Sequence, residues 1–216
     1  MRCVVTAGPT IEPLDDVRRL TNFSTGSLGT ELANHLAALE HEVVLLRGEQ
    51  ATTQVQPAGV DCRAFSSTQN LAEQFEGLSQ TGIDAIFHAS AVSDFSFGRI
   101  WETDSDGTRH EITGGKLSTR SGSLLAELIP TPKLISQLRA WFPDARIFGW
   151  KYEVDGTRGD VIAKGVAQLR ENRTDYCVAN GPAYGSGFGL LSPGGTLEEI
   201  EDRPKLYERL AALTIR

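Results

Sequence analysis

Short apolar runs alternate with segments of helical periodicity along most of this chain. The runs have the length of buried strands and fall well short of the roughly 18 residues that a membrane-crossing helix needs. The predicted strands are residues 3–7, 42–46, 58–65, 85–88, 147–150 and 176–178, and the predicted helices are residues 30–39, 68–79, 132–141 and 160–171. This alternation predicts a Rossmann-like α/β fold, with an open, mainly parallel sheet and helices on both faces.

The length and charge of the chain narrow its function. A chain of 216 residues fits one such domain, residues 1–216, and its net charge of −7 argues against general binding to nucleic acid or membranes. The first predicted strand follows Met1 almost directly, so we expect no signal peptide and a cytoplasmic protein. Cys3, Cys62 and Cys177 are widely spaced and lie in predicted strands, which favours three buried thiols over disulfides or a zinc site. No metal-ligating residues are predicted.

The first predicted strand and helix are joined by about twenty residues, where such connections usually hold about two to six. This connection leaves the C-terminal end of the first strand, where open α/β sheets bind ligands. Gly26 and Gly29 remove side chains in front of the helix, and Ser24 or Thr25 is predicted to cap it. The free N–H groups and the positive end of the helix dipole would then face an anion.

Two arginines in the same connection also point to an anionic ligand. Arg18 or Arg19 could add a forked contact to a carboxylate or phosphate. The alternative is a plain surface loop with solvated arginines. The dinucleotide fingerprint G-x-G-x-x-G and the phosphate loop G-x-x-x-x-G-K-[ST] are both absent from the sequence.

Residues 98–122 interrupt the alternation of strands and helices. Apolar and polar residues alternate around a turn at 104–107, which predicts a hairpin that continues into a flexible stretch at 114–116. We interpret this segment as a projecting arm or flap that closes over a site or reaches a second subunit. Residues 188–200 predict another hairpin before a last helix at 204–213.

Several blocks of sequence together resemble the phosphopantothenate–cysteine ligase family, also called phosphopantothenoylcysteine synthetase. Residues 6–29 resemble its opening, T-x-G-G-T-x-E-P-x-D-x-V-R followed by N-x-S-[ST]-G-x-x-G. The later blocks, in the family's order, are Ala91-Val92-Ser93-Asp94-Phe95, Lys116-Leu117-Ser118, Pro132-Lys133-Leu134, Gly149-Trp150-Lys151-Tyr152-Glu153 and Cys177-Val178-Ala179-Asn180. The resemblance covers nearly the whole chain, and the order of the blocks makes it specific.

The resemblance implies a ligase of coenzyme A biosynthesis that joins 4′-phosphopantothenate to L-cysteine through an amide bond. Family members use ATP or CTP with Mg²⁺, form an acyl-nucleotidylate, and release pyrophosphate before the cysteine amine attacks. They are homodimers in which neighbouring subunits complete each other's sites. The lysine after Trp150 resembles the branch that uses ATP, so ATP is slightly favoured over CTP.

The resemblance also implies roles for individual residues. The nucleotide-binding positions are Gly8, Ser24, Gly26, Gly29, Trp150 and Asn180. Asn22, Ala91 and Asp94 match positions around the pantothenate chain, and Asn22 is also tied to turnover of the acyl-nucleotide. Arg18 matches a phosphate-binding arginine that acts across the dimer, and Lys116 matches a flap lysine.

Blander interpretations stay open for several of these residues. Asp94 is alternatively a helix cap, Trp150 a core aromatic and Lys116 an exposed turn lysine. His88 is expected to be a satisfied core residue, because nothing places a nucleophilic serine beside it.

The chain also departs from the family pattern. Pro9 replaces a glycine, and Ser27-Leu28 replaces a pair that is often basic. A family lysine aligns near Ala167-Gln168, and Lys164 lies one helical turn earlier, from where it could serve catalysis in that space.

These departures leave two alternative functions open. The first is a nucleotide-binding relative whose catalysis has weakened. The second is an NAD(P)-binding reductase, for which Glu49 could be the acidic residue after the second strand but for which the glycine fingerprint is missing.

Overall fold

The computed structural model describes residues 1–117 and 123–214. Its strands are β1 (Arg2–Ala7), β2 (Ile11–Pro13), β3 (Arg19–Thr21), β4 (Glu42–Gly48), β5 (Asp61–Phe65), β6 (Ala85–His88), β7 (Phe95–Thr103), β8 (Arg109–Glu111), β9 (Ser123–Pro130), β10 (Arg146–Tyr152), β11 (Tyr176–Asn180), β12 (Phe188–Leu191) and β13 (Leu197–Ile200). Its helices are α1 (Ser27–Ala38), α2 (Thr68–Leu78), α3 (Leu134–Trp141), α4 (Arg158–Asn172) and α5 (Arg203–Ala212). Across these described residues, no helix is both long and apolar enough to cross a membrane.

Eight strands form the main sheet, in the order β13-β12-β11-β10-β6-β1-β4-β5. The six strands from β11 to β5 pair in parallel, and β12 and β13 add an antiparallel edge. The chain builds outward from β1 through β4 to β5 and then reverses to β6 on the other side of β1. The predicted Rossmann-like, mainly parallel sheet is therefore confirmed, and its order reverses between β1 and β6.

Helices cover both faces of this sheet, as predicted. Along β1, Val5 packs in a cluster with α1 and α5, whereas Val4 packs in a cluster with α2 and α3. A third cluster joins α4 to β11 and β12. Each fully buried large aliphatic or aromatic side chain stabilises the fold by about 1.5–3 kcal/mol. The alternating side chains of β1 therefore stabilise the packing of helices on both faces of the sheet.

Two helix starts differ from the sequence prediction. The N-cap of α1 is Gly26, in the left-handed conformation with φ 78°, so the prediction that Ser24 or Thr25 is the cap residue is wrong, although the Thr25 hydroxyl accepts from the backbone N–H of Ser27 at 3.3 Å. The cause is a close backbone approach, because a Cβ on Gly26 would lie 3.2 Å from the Cα of Gly8. Helix α3 follows the N-cap Lys133, so the prediction that Pro132 lies just inside the helix is also wrong.

The prediction of three buried thiols holds for Cys3 and Cys177 and is wrong for Cys62, which is exposed. Strand β5 begins at residue 61 rather than 58 and forms the edge of the sheet, so less of the molecule covers it. An apolar residue in a strand pattern does not by itself distinguish an edge strand from a central one.

The arm forms a separate sheet in the order β8-β7-β9. In the turn after β7 the backbone N–H of Asp104 donates to the carbonyl of Thr108 at 2.9 Å, which confirms the predicted hairpin. Strand β9, which pairs along the length of β7, was not predicted. Residues 118–122 of the arm, including Ser118 of a family block, lie outside the described residues. The predicted terminal hairpin is confirmed as β12 and β13, and the predicted last helix as α5.

Candidate ligand-binding site

A cavity of about 760 Å³ opens beside the carboxyl ends of β1 and β6, where the strand order reverses. Open α/β sheets bind ligands at such a reversal, because the loops on its two sides run in opposite directions and leave a crevice. The lining consists of residues 22–29, 88–94, 131–135, 150–152, 154, 168, 180 and 203. Segments far apart in the sequence therefore meet at one place.

The first turn of α1 forms one wall of this cavity. Gly8 and Gly26 both have positive φ, 86° and 78°, which side chains other than glycine rarely adopt. Gly29 lies against β1, where an added Cβ would be 2.7 Å from the Cβ of Ala7. Because the first N–H groups of a helix lack partners within it, this wall presents donors and the positive end of a dipole.

The loops after β1 and β6 are joined through the backbone of Ala91. Its N–H donates to the carbonyl of Gly8 at 3.1 Å, and its carbonyl accepts from the N–H of Thr10 at 3.2 Å. The same carbonyl accepts a hydrogen bond from Nδ2 of Asn22 at 3.0 Å. One Asn22 N–H is thus fixed, and the other amide hydrogen is left to donate elsewhere.

Beneath this junction lies a buried polar network that sequence reasoning missed. The Thr10 hydroxyl accepts from the backbone N–H of Ser93 at 2.9 Å. Glu12 is 5% exposed, and its Oε1 accepts from the backbone N–H and the hydroxyl of Thr68 at 3.0 and 2.7 Å. The Glu12 carboxylate therefore ties the long loop to the first turn of α2. The T-x-E-P part of the opening motif was the available signal for it.

His88 lies at the end of β6 and lines the cavity while staying 6% exposed. Its Nδ1 is 3.0 Å from the Thr6 hydroxyl, which also accepts from the backbone N–H of Ser90 at 3.0 Å. Burial lowers the pKa of His88 to about 4, so at neutral pH the ring carries no charge. The expected satisfied core histidine is confirmed.

Three lining residues carry buried polar atoms that have no hydrogen-bond partner within the described part of the chain. They are Oγ of Ser90, Nε1 of Trp150 and Oδ1 of Asn180. Buried polar groups are nearly always hydrogen-bonded in folded proteins. These three atoms, in residues that border the cavity, are candidate partners for a polar ligand bound there.

Charged side chains give the lining a net positive balance. Of the residues that the structure describes, three cationic ones line the cavity, Lys133, Lys151 and Arg203, against one carboxylate, that of Asp94. Just outside, Glu153 lies 3.3 Å from Lys151 and 2.5 Å from Lys164, and the hydrogen bond from Lys164 holds the pKa of the Glu153 carboxyl below its usual value. An anionic ligand suits this distribution.

Not every predicted site residue reaches the cavity. Arg18 directs its fork to Oδ2 of Asp15, at 3.0 and 2.5 Å, and also donates to the carbonyl of Leu117 at 2.9 Å. The hydrogen bond from Arg18 holds the pKa of the Asp15 carboxyl well below its usual range. Arg19 donates to Gln50 instead. Lys116 is exposed at the base of the arm, beside the same turn.

Lys164 is exposed and pairs with Glu153, so the structure does not bring it to the space beside Gln168, which does line the cavity. Asp94 lies in the loop before β7, and its carbonyl accepts from the N–H of Thr131, so it does not cap a helix. Among the lining cations, Lys133 and Lys151 belong to sequence blocks that resemble the family, whereas nothing in the sequence indicated that Arg203 would reach the cavity.

No group of three or more potential metal ligands occurs among residues 1–117 and 123–214. Mg²⁺ is usually held by one or two carboxylates together with substrate phosphates, and among the described residues Asp94 is the one carboxylate in the lining of the cavity.

The amino-acid sequence of this chain is similar to those of known proteins. A family model described as the DNA/pantothenate metabolism flavoprotein C-terminal domain matches residues 1–200. The coenzyme A biosynthesis bifunctional protein CoaBC of Mycobacterium tuberculosis is 31% identical over 198 residues, which are 91% of this chain and 45% of that protein. CoaBC of Bacillus subtilis is 29% identical over 189 residues, 86% of this chain and 42% of that protein. The chain thus spans less than half the length of these relatives.

Solved structures share the fold. The DNA/pantothenate metabolism flavoprotein from Streptococcus pneumoniae matches with a TM-score of 0.84 at 23% identity, over 99% of this chain and 97% of that one. A mutant of Cab2 in complex with phosphopantothenate-cysteine matches with a TM-score of 0.74 at 18% identity, over 99% of this chain and 85% of that one.

Proposed function

The chain belongs to the family of the DNA/pantothenate metabolism flavoprotein C-terminal domain, and on that basis we propose that it joins 4′-phosphopantothenate to L-cysteine in coenzyme A biosynthesis. The proposed reaction is an amide ligation driven by a nucleoside triphosphate. The carboxylate attacks the α-phosphorus, forms an acyl-nucleotidylate and releases pyrophosphate. The cysteine amine then attacks the acyl carbon, loses a proton and displaces the nucleoside monophosphate.

The observation that carries this proposal is the convergence of residues from separate blocks on one cavity. The blocks supply the nucleotide and substrate positions Asn22, Ser24, Gly26, Gly29, Ala91, Asp94, Trp150 and Asn180, and all of them line it. Gly8 supports the same wall from behind, since it lies against Gly26. A chance resemblance of separate short blocks would not be expected to bring these residues together.

In the proposed complex the phosphates lie against the first turn of α1. Gly26 and Gly29 leave the backbone accessible there, and the N–H groups and the helix dipole stabilise the negative charge. The unpaired Nε1 of Trp150 and Oδ1 of Asn180 provide one donor and one acceptor for the nucleoside. ATP is the first candidate over CTP, because Lys151 follows Trp150 as in the ATP-using branch that the sequence resembles.

Asn22 takes the role of an oxyanion donor in this proposal. Its amide is oriented by the bond to the Ala91 carbonyl, so its remaining N–H is held in place before the reaction. A preorganised donor of this kind stabilises the charge that develops on the acyl oxygen, and the loss of one such donor typically costs about 100-fold to 1,000-fold in rate. Asp94 and Ala91 would border the pantothenate chain.

Mg²⁺, when bound by the triphosphate with help from Asp94, would neutralise phosphate charge. The protein's own contribution is to bind the phosphates at α1 and to orient the acyl group at Asn22.

We further propose a homodimer that shares its sites. Arg18 and Lys116 lie outside the cavity of their own chain, but they lie together at the base of the arm, where Arg18 donates to the carbonyl of Leu117. A second chain that docks through the arm could receive both cations. In this arrangement Asp15 holds the Arg18 fork in a defined direction.

The proposed function is tested by measuring pyrophosphate release from each of the four nucleoside triphosphates, with phosphopantothenate, cysteine and Mg²⁺ present, while mass spectrometry follows the amide product. We expect release with ATP or CTP that depends on phosphopantothenate. Binding of triphosphate without release would favour the catalytically weakened relative, and neither binding nor release would refute the proposal.

A further inference from the structure

Arg203, the first residue of α5, lies at the rim of the cavity, where a second cavity of about 530 Å³ adjoins it. It lies beyond residue 200, the last residue that the family model matches, so that comparison assigns it nothing. Its side chain is 44% exposed and therefore accessible to a ligand.

Contacts with α1 fix the position of this guanidinium. Its Nη1 lies 3.0 and 3.2 Å from the two carboxylate oxygens of Glu31 and 3.2 Å from the hydroxyl of Ser27. The hydroxyl of Tyr207, one turn further along α5, donates to the same Glu31 carboxylate at 2.7 Å. Arg203 is thus held beside the first residue of α1, with the rest of its fork unassigned by these contacts.

The sequence around α1 explains why a cation is needed there. Ser27 and Leu28 are neutral where the family that the sequence resembles often has a basic pair. Gln168 lines the cavity near the position of a lysine in the same family. Four negative charges on a nucleoside triphosphate exceed what one helix dipole, equivalent to about half a charge, would neutralise. Of the lining cations, Arg203 is the one bonded to the first residue of α1.

We propose that Arg203 binds the pyrophosphate portion of the nucleoside triphosphate and replaces the missing basic residues. The inference rests on the proposed function, since it assumes that the cavity takes a nucleotide. The α-phosphorus must face the acyl carboxylate at the Asn22 end of the cavity, so the distal phosphates extend along α1 towards Arg203. A planar fork that is already oriented suits two phosphate oxygens, and its charge assists departure of pyrophosphate.

A purely structural role makes a different prediction. Arg203 could serve only to neutralise Glu31, whose carboxylate would otherwise repel phosphate. In that case Arg203→Gln weakens binding, but the double variant Glu31→Gln with Arg203→Gln restores it to the wild-type level. If Arg203 binds phosphate itself, the double variant stays weak.

The experiment measures the binding of ATP, CTP and their monophosphates to purified protein by calorimetry. The variants are Arg203→Gln, the double variant, and the control Arg209→Gln, which removes an arginine of similar exposure from the same helix and breaks its 2.9 Å ion pair with Glu198. We expect Arg203→Gln and the double variant to weaken triphosphate binding by about tenfold, as expected for one charged hydrogen-bond partner. Monophosphate binding should change by less than about threefold, and the control should match wild type.

Two results would overturn the inference alone, with the wild type still binding triphosphate. One is unchanged triphosphate affinity in Arg203→Gln, and the other is full recovery in the double variant. If wild-type protein binds no triphosphate at all, the proposed function fails and this inference fails with it.

Discussion

The replacement of Gly29 by alanine tests the close packing of α1 on β1. An added Cβ would lie 2.7 Å from both the Cβ of Ala7 and the carbonyl oxygen of Thr6. Carbon atoms pack at about 3.5–4.0 Å, so the start of α1 must move outward by roughly 1 Å. This movement would displace the wall of the cavity that is proposed to bind phosphate.

Two terms of opposite sign set the expected change in stability. Overpacking typically costs about 1–3 kcal/mol, whereas alanine is favoured over glycine within a helix by up to about 1 kcal/mol. Gly77 in α2 provides the matched control, because an added Cβ there has no atom within 4 Å in the described structure. The helix-propensity gain is common to both variants, so Gly29→Ala should be less stable than Gly77→Ala by about 1–3 kcal/mol.

The assays are urea unfolding and thermal unfolding, both followed by circular dichroism, combined with pyrophosphate release. For a protein of this size, each kcal/mol corresponds to a shift of about 2–4 °C in Tm. We expect Gly29→Ala also to slow turnover by about a hundredfold, because a shift of 1 Å in a binding wall has that effect, whereas Gly77→Ala should leave it unchanged. Equal stability and equal turnover in the two variants would refute the packing argument.

Four further outcomes follow from the same geometry. Asn22→Asp should keep the fold and slow turnover by about a hundredfold or more. The control Asn34→Asp removes a similar hydrogen bond from a side-chain amide to a backbone carbonyl outside the cavity and should leave turnover unchanged. An unchanged rate in Asn22→Asp would make Asn22 a turn residue. Mixing inactive Arg18→Ala with inactive Asn22→Asp should restore part of the activity after subunit exchange, whereas a monomer by light scattering would rule out shared sites. Because the pKa of His88 is lowered to about 4, the unfolded chain is protonated at this residue below about pH 6.5, whereas the folded chain stays neutral down to about pH 4. The free energy of unfolding should therefore fall by up to about 1.4 kcal/mol for each unit by which the pH decreases from 6.5 to 4. In His88→Gln this loss should be smaller, and an equally steep loss would contradict the assignment. In the folded protein a thiol reagent should modify Cys62 alone, and the two buried thiols only after unfolding; three equivalents at once would contradict their burial.

The fold was largely predictable because strand burial leaves a direct record in the sequence. Central strands such as β1, β4 and β6 are apolar on both faces, and the helices between them are amphipathic, so the alternation alone predicts the parallel sheet. Strand β9 is mostly exposed, and its pairing with β7 depends on tertiary contacts that leave no period in the sequence. The exposure of Cys62 depends likewise on which strand forms the edge.

The site was predictable only in part. The ordered blocks identified most of the residues that line the cavity, because the blocks that reach it lie at the carboxyl end of a strand or at the start of a helix. The cap of α1 was mispredicted because the approach of Gly26 to Gly8 decides it, not local propensity. Arg203 was missed because α5 packs back onto α1 across 176 residues of chain. The roles of Arg18 and Lys116 stay predictions for the dimer.

The central claim is that the acyl group is activated as a nucleotidylate in this cavity, and isotope transfer tests it most directly. Phosphopantothenate labelled with oxygen-18 in its carboxylate is incubated with the protein, cysteine and the preferred triphosphate. Mass spectrometry then measures the oxygen-18 content of each product. If the carboxylate attacks the α-phosphorus, one labelled oxygen stays on the released nucleoside monophosphate and pyrophosphate is unlabelled. Label in inorganic phosphate, or a monophosphate without label despite product formation, would contradict the account.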